Sequence, residues 1–272
     1  MLGLVRRMVR KVLPRRRHPL MDAELTLGRE DSRRAALYES HILRGATPDD
    51  PFIRQRFLEG LRWRHVLESY LSVSDRSRIL DIGGGIGAVE FAFSSNPSFW
   101  AASIEQLWSN DAQAIHRNAN VPFYRSIANA AALPFRSGIF DAVLFLETLE
   151  HVDSPEEVGH EIGRVLRDGG RVLILTPPRW RYVLRRDPHF NIWGLVMFPP
   201  AIQRLIAERR GFAGQHHYVD RIYSSVPQIA RLFPDCEIEA VLSRSRAPQR
   251  WFWDAIVLRR SPRIENDRPS AV

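Results

Sequence analysis

The chain has 272 residues, 44% of them hydrophobic, and a formal net charge of +8. That length suits one α/β domain with additions or two small domains, with enough apolar content for a sizeable core. The longest apolar stretch, 191–202, holds two prolines and is too short to span a bilayer, and the single cysteine, Cys236, excludes an intrachain disulfide framework and a cysteine-based metal site and fits a reducing, cytoplasmic setting.

The charge is concentrated at the start. Residues 1–20 carry Arg6, Arg7, Arg10, Lys11, Arg15, Arg16 and Arg17 and no acid, which accounts for seven of the eight net charges. The remaining body is close to neutral and offers no broad basic surface for nucleic acid. On a helical wheel Met1, Leu2, Leu4, Val5, Met8, Val9, Val12 and Leu13 share one half, and the basic residues share the other. Pro14 ends the pattern. Two readings stand for this tail: a helix lying on an anionic membrane surface at the inner face, or a start that is disordered or packed on the body. It lacks the uninterrupted apolar region and the cleavage site of a secretory signal.

Residues 22–72 read as helical. Asp31 or Ser32 supplies an N-cap, and 51–71 places Phe52, Phe57, Leu61, Val66 and Leu67 at near-helical spacing. The segment 45–51 between them is a turn cluster. From Arg78 onward strands and helices alternate. RILDI, FWAASIEQ (99–106), VPFYRSI (121–127), the start of FDAVLFLETLEHV (140–152) and RVLILTPP (171–178) read as strands. AVEFAFSS, DAQAIHRNA (111–119) and SPEEVGHEIGRVL (154–166) read as helices. The last of these has Ser154 as N-cap, Pro155 in the first turn and Gly169-Gly170 as its close. VPQIARLF (226–233) is a short helix, and CEIEAVLSR and WFWDAIVLRR are two final strands, paired antiparallel. This alternation specifies a doubly wound, mostly parallel α/β sheet with ligands at the carboxyl ends of its strands.

The turn after the first strand, Gly83-Gly84-Gly85-Ile86-Gly87-Ala88, fits a dinucleotide fingerprint. Glu105, twenty residues beyond Gly85, is placed to accept hydrogen bonds from a ribose diol of either NAD or an adenosyl cofactor. Asp81 leans the choice. A carboxylate beside the turn repels a pyrophosphate but attracts the ammonium and sulfonium of S-adenosylmethionine.

LDIGGGIG, IEQ, AALPFRSGIFDAVLFLETLEHV and RVLRDGGRVLILTPP, in that order over 78–178, resemble the class I S-adenosylmethionine-dependent methyltransferases, in particular their small-molecule group. The resemblance implies a seven-stranded, Rossmann-like sheet with N-terminal helices and a lid insertion. It divides the chain into a basic tail (1–20) and a methyltransferase domain (21–260), followed by 261–272. Within the domain it implies N-terminal helices (21–75), a cofactor-binding core (76–178), an acceptor lid (179–225) and a C-terminal helix and strands (226–260). It puts Gly83, Gly85 and Gly87 under the methionine and ribose, Asp81 at the ammonium, Glu105 at the ribose hydroxyls and Gln106 by the adenine. Asn129 stands where the family usually has an aspartate that receives the adenine amino group, and its amide oxygen keeps an acceptor without the charge. Ala130 offers its backbone N–H to the adenine ring, and Glu147 lies at the methionine end.

For an oxygen acceptor a general base is needed. His189, after the fifth strand in RRDPHFN, is the first candidate, with Asp187 placed to orient it. His151 in LEHV is the second. Each has a plainer alternative: Asp187-Pro188 as a turn, and His151 as a structural histidine. His216, His217 and Tyr218 form a further polar cluster, without acidic partners at metal-ligand spacing, so no metal is expected. Trp180, Tyr182, Phe190, Trp193, Phe198 and Phe212, interleaved with Arg179, Arg181, Arg185 and Arg186, suggest a lid over a large acceptor, the arginines reading phosphate or carboxylate. The alternative is a capping segment with its own small core. The reading is methyl transfer to an oxygen of a small molecule, lipid or glycan intermediate. An NAD-dependent oxidoreductase and a non-catalytic adenosyl-binding partner are the alternatives.

The tail's two readings separate by co-sedimentation with anionic vesicles. A membrane-surface helix predicts that deleting residues 1–18 abolishes most of the binding at physiological salt; unchanged binding places the contact elsewhere.

Overall fold

In the computed structural model the described residues are 60, 63–64, 68, 73–74, 76–85, 87, 89–90, 99–103, 117, 124–183, 186–187, 190–211, 222–243 and 253–262. The basic tail, the helix expected at 22–44 and most of that at 111–119 lie outside them. Of the stretch 51–71, Gly60, Trp63, Arg64 and Glu68 are described and are helical, and Arg64 pairs with Glu68 one turn on at 2.8 Å.

Among the described residues seven strands form one sheet: β1 (Ile79–Ile82), β2 (Phe99–Ser103), β3 (Tyr124–Ile127), β4 (Phe140–Leu146), β5 (Leu166–Leu175), β6 (Cys236–Leu242) and β7 (Ala255–Arg260). Their order is β3-β2-β1-β4-β5-β7-β6. The first five run parallel. β7 inserts antiparallel between β5 and β6, so the last two strands pair as their sequences imply. The helices described in full are α1 (Pro155–Val165), α2 (Pro200–Arg209) and α3 (Val226–Ala230). Single 3-10 turns occupy Leu149–His151, Arg179–Tyr182 and Leu195–Met197.

The strands are apolar on both faces because both faces are covered. Leu80, Ile82, Val143, Phe145, Val172, Ile174, Ile256 and Leu258 point to one side, where α1 and α3 contribute Val158, Ile162 and Ile229. Their alternates Ile79, Ala142, Leu144, Leu173, Ala255 and Val257 join Trp63 and Val73 on the other. The period of two therefore builds two cores on one sheet.

Two local features differ from the sequence expectation. Ser154 does precede α1, with Pro155 in its first turn, but its hydroxyl makes no capping hydrogen bond. And β5 begins at Leu166, immediately after α1, rather than at Arg171. Gly169-Gly170 does not close the helix; it absorbs a register shift between Phe140↔Leu166 and Ala142↔Arg171. Gly169 takes φ +74°, and a Cβ on Gly170 would meet the Arg167 carbonyl at 2.8 Å, so the irregularity needs both glycines.

A chain of hydrogen bonds ties the carboxyl ends of β4 and β5 to the start of β7. Trp253 Nε1 donates to the Thr176 carbonyl at 2.9 Å, and the Thr176 hydroxyl donates to Glu150 Oε2 at 3.0 Å. Arg181 Nη2 donates to Asp254 Oδ1 and to the Trp253 carbonyl, each at 2.8 Å. Glu150 is only 2% exposed, and burial pushes its carboxyl from 4.5 up to about 7. The folded state thus holds a proton between those two values that the unfolded chain has lost, so this group's contribution to stability falls as pH rises from 4.5 through 7. Urea unfolding at pH 5 and pH 8 tests it. The wild type is expected to lose about 2–3 kcal/mol more over that interval than Glu150→Gln; parallel pH dependences would show that Glu150 does not carry the proton.

Candidate functional site

The chain winds outward from β1 through β2 to β3, then crosses back so that β4 lies against the other side of β1. The carboxyl ends of β1 and β4 therefore border a crevice at the switch point of the sheet, where such folds bind ligands. The glycine turn opens there. Gly83, Gly85 and Gly87 take φ of +80°, +54° and +74°, and the Gly87 N–H closes the turn on the Gly84 carbonyl at 2.9 Å. A Cβ on Gly83 would overlap the Thr148 hydroxyl, just beyond β4. Gly85 faces the opposite condition: among the described residues nothing lies within 4 Å of where its Cβ would be. Among the described residues the turn is thus packed against β4 on one side and open on the other, which suits close approach by a ligand.

Beneath the turn sits a charged cluster. Asp81, in β1, is 2% exposed, and Glu90, in the helical residues 89–90 that follow the turn, is 4% exposed. Among the described residues neither carboxylate oxygen of Glu90 has a hydrogen-bond partner. Gly84 is the residue that faces both acids: a Cβ there would overlap Glu90 Oε1 and stand 3.1 Å from Asp81 Oδ2. Arg125 completes the cluster from β3. Asp81 registers with Ala101 and Ala101 with Arg125, so the two charges share one row of the sheet about 10 Å apart at their Cα atoms. Arg125 Nη2 reaches the Gly85 carbonyl at 3.5 Å. Burial raises the Asp81 carboxyl to about 7, against the lowering pull of Arg125. Burial, with Asp81 second, raises Glu90 well above the carboxylate range. Burial lowers Arg125, opposed by the two acids.

The other expected residues fall as follows. Glu147, exposed, stands at the end of β4 next to Thr148, with φ +48° and its N–H donating to the Leu175 carbonyl at 2.7 Å. Asn129 is exposed, and its Oδ1 already accepts the Ala131 N–H at 2.9 Å, an Asx turn. Ala130 is buried in the core at the carboxyl end of β3. His151 is exposed, closing the 3-10 turn after β4. Glu105, Gln106, His189, His216, His217 and Tyr218 lie outside the described residues, so the ribose contact and the first base candidate have no geometry here. Asp187, expected to orient His189, is 3% exposed and accepts the Phe190 N–H at 2.8 Å. Glu90, Arg125 and Thr148 escaped the sequence reading. The one signal for Glu90 was the extra glycine at 84, where a Cβ would meet its carboxylate.

The arginines after β5 do not stand free to read an acceptor. Arg179 Nη2 donates to the Val196 carbonyl at 2.5 Å, Arg181 binds Asp254, and Arg186 Nη1 donates to the Asn191 carbonyl at 3.3 Å. They fasten the segment to itself and to β7. Arg185 lies outside the described residues. The aromatics divide. Phe190 packs with Leu195 and Ala207 in a small separate core, while Trp180, Trp193 and Phe198 are exposed. Among the described residues no group of three or more His, Cys, Asp or Glu is placed to hold a metal ion.

Comparison with known proteins gives this crevice its context. Residues 80–174 match the family described as "Methyltransferase domain", a span that contains the glycine turn, the acid pair and the ends of β4 and β5. The chain is 26% identical over 118 residues to the ubiquinone/menaquinone biosynthesis C-methyltransferase UbiE of Roseobacter denitrificans, covering 42% of this chain and 47% of that protein. It is 34% identical over 108 residues to the O-methyltransferase resE of Aspergillus sclerotiorum, covering 38% and 41%. The chain thus spans about half the length of the curated relatives it matches. The crystal structure of the PH0226 protein from Pyrococcus horikoshii OT3 shares the fold, with a TM-score of 0.53 at 17% identity over 78% of this chain and 93% of that one. The residues present also fit S-adenosylmethionine rather than a pyrophosphate. Two buried carboxyl groups lie under the turn, one of them with no partner for either oxygen, and an incoming ammonium supplies what they lack. By sheet order, matched domain and this pocket chemistry, residues 80–174 are similar to the class I S-adenosylmethionine-dependent methyltransferases.

Proposed function

We propose that this protein transfers the methyl group of S-adenosylmethionine to an oxygen of an apolar small molecule, a lipid or a glycan intermediate. One observation supports an apolar acceptor above all. The segment leaving the carboxyl end of β5, where acceptors approach the sheet, exposes Trp180, Trp193, Met197, Phe198, Ile202 and Leu205. Six large apolar side chains exposed within twenty-six residues mark a contact surface rather than ordinary scatter. The relatives named for ubiquinone/menaquinone biosynthesis fit an acceptor of that kind. No described helix is long and apolar enough to cross a membrane, so a lipid acceptor would be met at a surface.

The cofactor, when bound, supplies an activated methyl with a good leaving group; the protein's part is binding, alignment and exclusion of water. In this reading Asp81 holds the ammonium end and the glycine turn lies under the methionine and ribose. Glu105 takes the ribose hydroxyls, Gln106 lies by the adenine, and Asn129 and Ala130 border the ring. Segment 179–225 is the acceptor lid. An oxygen acceptor gives up its proton to a base, for which His189 and His151 are the candidates. A carbon acceptor is the second reading, favoured by the UbiE relatives, which are named C-methyltransferases.

Labelled methyl transfer into a lipid extract and into the aqueous fraction of a cell lysate tests the acceptor. The label is expected in the lipid extract, as a methoxy group by carbon NMR; label only in water-soluble product overturns the apolar acceptor, and a carbon-bound methyl selects the second reading. With the acceptor in hand, His189→Gln is expected to lower kcat by about 100-fold or more while leaving S-adenosylhomocysteine affinity unchanged. An unchanged kcat moves the base to His151 or removes it.

A further inference from the structure

The feature that family resemblance does not account for is Glu90. An ionisable side chain this deeply buried is ordinarily paired. Glu90 is 4% exposed, both its oxygens lack a hydrogen-bond partner among the described residues, and Oε1 faces the Cα of Gly84 in the middle of the turn. Among the described residues the charged groups facing it are Asp81 from β1 and Arg125 from β3. Charge counting makes the arrangement specific. Two carboxylates against one guanidinium leave one negative charge in a buried site, which is expensive unless a proton or a cation compensates it. One added ammonium brings the cluster to neutrality.

We propose that Glu90, with Asp81, forms a two-carboxylate seat for the α-ammonium of the cofactor's methionine moiety, and that the ammonium replaces a proton the pair holds in its absence. This rests on the reading of the turn as the S-adenosylmethionine site. The exchange is simple: the carboxyl O–H of the pair breaks, its proton leaves to solvent, and an ammonium N–H donates to the carboxylate left behind. Burial favours the protonated form of both acids while the site is empty of a cation. Arg125, held against the Gly85 carbonyl, stays as the fixed counter-charge that keeps a second proton from being needed. Glu90 is therefore a residue that selects for ligands carrying an amino-acid ammonium, and it gives the extra glycine at 84 its reason.

Titration calorimetry with two ligands tests the proposal. S-adenosylhomocysteine carries the ammonium; 5′-methylthioadenosine keeps the adenosine thioether and lacks the amino acid. Measured in buffers of different ionisation enthalpy at pH 7, the wild type is expected to release a substantial fraction of a proton on binding the first and none on binding the second. Glu90→Gln, which preserves shape, is expected to weaken S-adenosylhomocysteine by about 10- to 100-fold and to reduce the proton release, with 5′-methylthioadenosine affinity unchanged. The second ligand also reports that the variant is folded. Equal weakening of both ligands would make Glu90 a support of the turn and overturn the proposal, as would an unchanged affinity ratio and proton count. Failure of the wild type to bind either ligand would overturn the reading of the turn itself.

Discussion

The lateral pairing of β1 with β4 is the constraint from which the rest of this molecule follows. These strands are neighbours in the sheet but not in the chain, because the chain first lays β2 and β3 outward and then returns. The return sets the end of β4 against the glycine turn so closely that Gly83 has no room for a side chain beside Thr148. A crevice at this place is a consequence of topology, and what binds there is decided by the charges the sequence puts beneath it.

Those charges are costly. A buried ion cluster is weak evidence for stability, and well-packed apolar residues would serve a fold at least as well. The contrast with the other ion pairs is informative. Arg164 pairs with Glu161 and also donates to the carbonyls of Leu133 and Phe135, pinning the loop between β3 and β4. Arg171 meets Glu239 across the β5–β7–β6 edge with both carboxylate oxygens engaged. In each the acid is satisfied by its partner. Under the glycine turn, by contrast, Glu90 leaves both oxygens open among the described residues. Deficit at a site that topology already singles out is the sign of a group waiting for a ligand.

How much of this was legible depended on whether a residue's role is local. β1, β4, β5 and α1 announce themselves because apolar runs end at hard stops, and the antiparallel pairing of β6 and β7 follows from two short strands joined by a turn. The start of β5 was not legible. Gly169-Gly170 after a helix reads as a C-cap, and only the register against β4 shows it to be a bulge inside a strand. Asp81 was legible as an acid next to a glycine turn. Glu90 was not, since a glutamate nine residues further on, in a helical pattern, ordinarily faces solvent, and no periodicity reveals that it folds back under the turn. The arginines after β5 misled for a related reason. Their spacing among aromatics suggests ligand recognition, but backbone carbonyls also need donors: Arg179 and Arg186 serve carbonyls of the segment itself, and Arg181 serves the Trp253 carbonyl beside β7.

That same segment explains why the acceptor is the least legible part of the site. Its first turn is fixed: the Arg179 N–H donates to the Tyr223 carbonyl at 2.8 Å, Trp180 Nε1 to the Ser224 carbonyl at 2.9 Å, and Arg181 to the start of β7. Phe190, Leu195 and Ala207 give the middle a core of its own. Trp193, Met197, Phe198, Ile202 and Leu205 direct their side chains outward, and α2 buries only Gln203 and Ala207. A surface anchored at its base and apolar on its outer face discriminates by size and greasiness rather than by hydrogen-bond pattern. Selectivity of that kind leaves no motif. On the proposed function, the two halves of the site are specified in different currencies: the cofactor half by a few charges whose positions the sheet dictates, and the acceptor half by an apolar area that many sequences would provide.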